Sequence, residues 1–354
     1  MKWSGCFVLL CCLTWAGSLL AEPLRVVIPA FFGPAPMSQQ VRTTFYFEIV
    51  KAFRDVDQSQ KGAWILYGGQ NKVATPTHDA ILDATTWPSV RADLALWGQV
   101  HKFDDGAVVQ LNLSLTPLLK QREVRPEIWR LSLRNRAGQH STFELDIPGK
   151  LYTFEPLLLT PEAIMKFSTP QGIALYSSRG GVEQIGTVGA DVLYFYEVYD
   201  DAVLIETNNK KGWVRTPPIA KQESEAVAFS RGLVRLLRGD WHGARESFDI
   251  VLASSNLPQE LRIYALFYRG LAKEKGGEGA SDEFEMAYRL NPLDRSAAAY
   301  LLMSRLADIS RLQAKGDVET LNVAWQRLRQ TLDISRQLFA VDDPWFTHID
   351  KMFR

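Results

Sequence analysis

The chain has 354 residues, enough for two or three domains, and its 40 Lys+Arg against 40 Asp+Glu leave no formal net charge. That balance excludes a basic field able to hold nucleic acid, and equally an acidic tail. With 46% hydrophobic and 23% charged residues the composition is globular rather than disordered or fibrous.

Residues 1–21 read as a signal peptide. Lys2 precedes the apolar run Cys6 to Leu13, which is too short for the roughly 20 residues of a membrane-spanning helix. Ala21 before Glu22-Pro23 offers a small residue for cleavage. Leu10 before Cys11, and Cys11 before Cys12, are wrong for a lipid-modified cysteine. All three cysteines lie in this segment, so the mature chain is expected to start at Glu22 without disulfides, thiolate metal sites or cysteine nucleophiles. No later run is apolar for long enough to span a bilayer, so a soluble protein without an integral membrane segment is expected, most simply in the periplasm.

Residues 22–115 alternate between strand and helix. Leu24 to Pro29 reads as a buried strand, Ser38 to Asp55 carries Val41, Phe45, Ile49, Val50 and Phe53 at helical spacing, and Ala63 to Tyr67 is a second strand. A short helix from Pro76 to Asp83 precedes a strand over Ala92 to Val100, and Asp104-Asp105-Gly106 turns the chain into Ala107 to Leu113. The order βαβαββ predicts a small α/β layer. It resembles the N-terminal α/β domains of TolB-like and FlgO-like envelope proteins, on element order and the Asp93 to Val100 strand with Trp97-Gly98. Residues 116–168 are expected to form a hairpin, Ile128 to Leu133 with Thr142 to Ile147, and a connecting segment.

Residues 169–216 hold five short strands: Ile173 to Tyr176, Gln184 to Val188, Val192 to Tyr196, Ala202 to Glu206 and Gly212 to Arg215. Five strands in so short a stretch predict a small barrel. Ile185-Gly186-Thr187-Val188 and the closing Gly212-Trp213-Val214 resemble a bacterial Src-homology-3-like domain over Gly172 to Arg215. Relatives of that kind contact cell-wall peptides, so Tyr194, Tyr196, Tyr199 and Trp213 are the candidate ligand face, with core packing as the alternative use of the same rings.

Beyond Pro217-Pro218, residues 217–354 are helical throughout. Ala244, Phe248 and Val251 recur at one constant offset as Ala280, Phe284 and Ala287, which is an internal repeat. Gly239-Asp240-Trp241 ends one helix and begins the next. The units resemble tetratricopeptide repeats, whose crossing helices need a small residue where Ala244 and Ala280 sit. The run Gly276-Gly277-Glu278-Gly279 departs from that pattern and is expected to loosen the second pair. A third pair, Asp294 to Gln313 and Asp317 to Phe339, is followed by a short helix from Asp343 that covers the open end. The fold expected is thus multidomain: an α/β layer, a five-stranded β-barrel and an all-α repeat solenoid.

Catalytic signatures are missing. The five histidines, His78, His101, His140, His242 and His348, contain no i, i+4 pair, so no zinc helix forms. No Gly-x-Ser-x-Gly or Ser-x-x-Lys occurs. Gly68-Gly69-Gln70-Asn71-Lys72 lacks the second glycine and the Lys-Ser/Thr of a phosphate loop. His78-Asp79 and His101 with Asp104-Asp105 are acid–base candidates, but a titratable pair alone supplies neither nucleophile nor metal, and surface turns explain them as well. No cofactor is implied. On the first helix of the second repeat, Arg262, Arg269 and Lys273 share one face, opposite Tyr264, Phe267 and Tyr268. Such a row suits an acidic segment or free carboxylate of a protein partner, or it simply keeps the helix solvated. Phe229 and Leu233 line the corresponding side of the preceding helix, which implies a groove partly filled by a neighbouring domain or an apolar partner. Three functions therefore compete: a partner-binding adaptor using the helical groove, a cell-wall binder using the barrel, and a hydrolase in the α/β layer.

Overall fold

The computed structural model describes residues 24–54, 63–67, 75–85, 92–104, 106–116, 130–134, 140–144, 151–162, 173–188, 194–207, 209–215, 224–315, 318–338 and 346–347. The expectations for residues 1–23, for the Gly68 to Lys72 turn and for Asp343 fall outside them.

The first module is built on β1 (Leu24–Ile28), α1 (Met37–Ala52), β2 (Ala63–Tyr67), α2 (His78–Thr85), β3 (Leu94–Lys102) and β4 (Ala107–Leu115). β1 pairs in parallel with both β2 and β3, and β4 runs antiparallel to β3. Side chains divide by the period-2 pleat. Leu24, Val26, Ile28, Leu94, Leu96, Val109, Leu111 and Leu113 share a core with α1, whereas Val27, Ala95 and Trp97 pack with Ile81 of α2 on the opposite face. Helix α1 is buried almost all round, and even Arg42 is enclosed, its guanidinium donating to the Ile28 carbonyl at 3.3 and 2.9 Å.

The sheet does not stop at 115. After the separate hairpin of β5 (Arg130–Arg134) and β6 (His140–Glu144), β7 (Leu151–Thr153) and β8 (Leu157–Leu159) both pair with the free edge of β4. Part of the expected connecting segment is therefore sheet.

The second module contains β9 (Ala174–Tyr176), β10 (Gln184–Thr187), β11 (Tyr194–Val198), β12 (Ala202–Thr207) and β13 (Lys210–Arg215) in the order β10-β9-β13-β12-β11. The strands fall where expected, but no pairing among the described residues joins β10 to β11, so the closure of the expected barrel is not found there. Closure needs strands that coil through a consistent stagger. Here β9 and β10 have three and four residues, and β9 meets β13 at the single pair Trp213 and Tyr176.

The third module pairs α3 (Glu225–Arg238) with α4 (Trp241–Leu252), α5 (Gln259–Lys275) with α6 (Ser281–Leu290), and α7 (Arg295–Lys315) with α8 (Val318–Ser335). Ser224 caps α3, Gly239 closes it in the left-handed conformation at φ 82°, and the Asp240 carboxylate accepts from Gly243 N–H at 2.9 Å to start α4. The repeat residues Ala244, Phe248, Val251, Ala280, Phe284 and Ala287 are all buried. Each repeat stacks its phenylalanine on a tyrosine of the next helix, Phe248 on Tyr268 at 5.7 Å and Phe284 on Tyr300 at 5.5 Å. The Gly276 to Gly279 run is a hydrogen-bonded turn, in which Gly276, Gly277 and Glu278 N–H groups donate to Ala272, Glu274 and Lys273. Arg245 grips Glu278 across the repeats with both carboxylate contacts near 2.5 Å. Phe346 is buried in the same apolar cluster as the repeats.

Candidate interaction surfaces

The cations of α5 do not form an open row. Arg269 pairs with Asp249 of α4 at 2.9 Å and with Glu283 of α6 at 3.5 Å, and Lys273 pairs with Glu283 at 2.8 Å. Arg262 donates to the Ser254 carbonyl at 3.4 Å. Glu283 is only 6% exposed, so these charges tie α5 to the second helices on either side. A partner carboxylate would have to displace the chain's own acids to reach them.

Phe229 and Leu233 are buried. Phe229 is covered by Tyr152 at 4.8 Å and Phe154 at 5.8 Å, two rings delivered by β7 and the residue after it. Tyr152 also meets Tyr264 edge-on at 5.1 Å, and its hydroxyl lies 2.6 Å from that of Tyr268. Burial raises the ionisation of both hydroxyls well above the tyrosine range, so the pair stays protonated as a buried neutral bridge. Neighbouring sheet thus fills this part of the helical face. The signal available in the sequence was Tyr152 and Phe154 alternating with polar Thr153.

The five-stranded sheet does gather aromatic residues on its outer face. Trp213 and Tyr199 rings lie 5.8 Å apart at 37°, and Tyr199 and Tyr196 are 38% and 51% exposed. The side chain of Tyr194 is outside the described residues. A bulge between Phe195 and Glu197 re-aims β11, and Tyr196 donates to Glu206 while Lys211 lies 3.7 Å from its ring centre. Two arginines that the sequence does not single out complete the surface. Arg179 lies 3.8 Å from the Tyr199 ring centre, and Arg215 lies 4.6 Å from that of Tyr176. Both guanidiniums are anchored, Arg179 on Asp201 at 2.5 Å and Arg215 on the Gly181 carbonyl at 2.6 Å. The Arg179 hydrogen bond holds the Asp201 carboxyl below its ordinary range. In the sequence, Arg179-Gly180-Gly181 carries only a turn signal.

In the α/β layer His78 Nδ1 lies 2.9 Å from Ser114 Oγ, which also accepts from Trp97 Nε1 at 3.0 Å. A serine and a histidine do meet here; Ser114 is wholly buried, and the contact bridges α2 and the sheet. His101, at the end of β3, and Asp104, in the bend that follows, are both exposed. The strand order reverses between β1 and β3, where open α/β sheets hold ligands, but this crevice is sealed. Phe32 N–H donates to Gly98 O at 3.0 Å and Val100 N–H to Phe32 O at 2.7 Å, while Gly33 lies so close that an added Cβ would sit 2.4 Å from Val100 O. Among the described residues no group of three or more His, Asp or Glu is placed to hold a metal, and no helix is long and apolar enough to cross a membrane. Compared with known proteins, the chain matches no family model, no curated protein and no solved structure.

Proposed function

We propose that the chain is an exported, non-catalytic binding protein of the bacterial envelope, working in the periplasm as an adaptor whose five-stranded sheet holds a peptide of the cell-wall type. The Tyr199 and Trp213 pair carries this reading: two adjoining rings stand on an outer face, flanked by guanidiniums already held in place. Rigid aromatic platforms with fixed polar neighbours bind extended ligands at low entropic cost. In this view the sheet is a Src-homology-3-like module, the helices are tetratricopeptide-like repeats, and residues 1–21 direct export. The acidic-partner reading of α5 gives way, because Asp249 and Glu283 already neutralise Arg269 and Lys273.

Co-sedimentation of the mature chain with purified cell-wall sacculi tests the proposal. Tyr199→Ala together with Tyr196→Ala is expected to weaken retention about tenfold, the effect of removing one or two contact rings from a small interface. Unchanged retention by a double variant with native circular dichroism overturns it.

A further inference from the structure

Between the sheet and the helices lies a cleft of about 300 Å³, walled by Gln110, Tyr152, Phe154, Glu155, Glu260 and Tyr264 among others. Its volume is at the low end for ligand sites and suits one side chain rather than a cofactor. The rings of Tyr152 and Tyr264 meet in it at 87°. Among the described residues no cation lines it, whereas two carboxylates do. Neither Glu155 nor Glu260 has an ion-pair partner among the described residues. The amide donors of Gln110 are directed to the Phe154 and Leu111 carbonyls at 2.6 and 3.2 Å. Tyr264 donates its hydroxyl to Glu260 at 3.1 Å, and burial with that carboxylate's charge pushes its pKa up to about 12, so it remains a donor. Glu260 sits in the first turn of α5. Pro156 and Pro258 stiffen the two rims. The cleft therefore presents the half-exposed Tyr264 ring and, among the described residues, two carboxylates without an ion-pair partner, while the Gln110 and Tyr264 donors are already spent.

We propose that this cleft receives an arginine side chain of a partner polypeptide, the guanidinium lying against the half-exposed Tyr264 ring and hydrogen-bonding to Glu155 and Glu260. A planar, weakly hydrated cation with five donors fits both features at once, which an ammonium does less well. The site is separate from the five-stranded sheet, so it stands or falls independently of the cell-wall reading.

Isothermal titration of the full mature chain with a tetra-arginine peptide, and with its neutral tetra-citrulline counterpart, tests it. The arginine peptide should bind with a salt-sensitive affinity, and the citrulline peptide at least about tenfold more weakly. Glu155→Gln with Glu260→Gln should lower arginine-peptide affinity about tenfold without moving the unfolding midpoint, since both carboxylates are partly or fully solvated. Glu319→Gln on α8 and Tyr199→Ala should leave it unchanged. In a fluorotyrosine-labelled chain, the resonance that Tyr264→Phe removes should shift on titration. Equal affinity for the two peptides, or full affinity in the double variant, overturns the proposal.

Discussion

A glycine in each repeat abuts a phenylalanine ring, and substituting one of them has an effect whose sign depends on that ring. A Cβ added at Gly270 of α5 would lie 2.9 Å from Phe284 Cε1, 3.1 Å from its Cζ and 3.2 Å from Glu283 Cβ, where carbon atoms normally settle at about 3.5–4.0 Å. Phe284 is fully buried, stacked on Tyr300 at 5.5 Å and set edge-on to Phe267 at 5.8 Å, so it has nowhere to swing. Overpacking of this kind costs about 1–3 kcal/mol, against a gain of about 1 kcal/mol for replacing glycine by alanine inside a helix. Gly270→Ala should then destabilise the protein by about 1 kcal/mol net. On a Phe284→Leu background the clash is relieved while the helix gain remains, so the same substitution should stabilise by about 1 kcal/mol, a coupling of about 2 kcal/mol. Urea unfolding followed by far-ultraviolet circular dichroism reads the helical transition in all four variants. The same stabilisation by Gly270→Ala on both backgrounds would refute the close approach and the repeat register with it. Gly232 against Phe248, at 2.9, 3.0 and 3.1 Å, should behave alike.

Two further outcomes are expected. Tyr152→Phe and Tyr268→Phe each remove one hydroxyl of a buried pair at 2.6 Å, so each should cost about 1–3 kcal/mol while the double change costs less than the sum, as a double-mutant cycle in urea would show. Burial alone would raise the Glu285 carboxyl, but the hydrogen bond and charge of Arg305, with Arg289 behind it, outweigh burial and hold it below its ordinary range. A carboxyl lowered in the folded state stabilises the protein fully above its unfolded pKa and loses that contribution as pH falls through the folded value. The difference in urea midpoint between the wild type and Glu285→Gln should therefore be present at neutral pH and shrink below about pH 4, the usual glutamate range. A difference that grows on acidification would contradict the Arg305 contact.

What the sequence made legible was local. Ala244, Phe248 and their counterparts repeat within a helix, and Gly239-Asp240 signals its boundary within two residues, so the helical pairs and their turn could be drawn before any coordinates. The strands of the five-stranded sheet were equally visible, because alternation and glycine turns are neighbours' properties; whether β10 returns to β11 depends on stagger across the whole sheet, and no local pattern carries it. The face of α5 bearing Arg262, Arg269 and Lys273 followed from helical geometry. Its neutralisation did not, since Asp249 and Glu283 come from two other helices. The outer aromatic face was half seen: Tyr196, Tyr199 and Trp213 are conspicuous in the sequence, whereas Arg179 and Arg215 join them only through the pairing of β9, β13 and β12.

The contact between Tyr152 and Tyr268 joins residues 116 positions apart. A stack of helical repeats ordinarily assembles from neighbour to neighbour, with short loops to close and little dependence on the rest of the chain. Here the apolar layer of the first repeat is completed from outside the stack, because Phe229 is covered by rings that come from β7 and the residue after it, on a strand paired with β4. The helices thereby take on the slow, long-range closure of a β-sheet, and the sheet made first during synthesis becomes the template on which they complete. Cutting the chain near Pro217-Pro218 would accordingly release no independent halves: one piece would bare Phe229, the other Tyr152 and Phe154, and each would be expected to aggregate rather than report on a separable module.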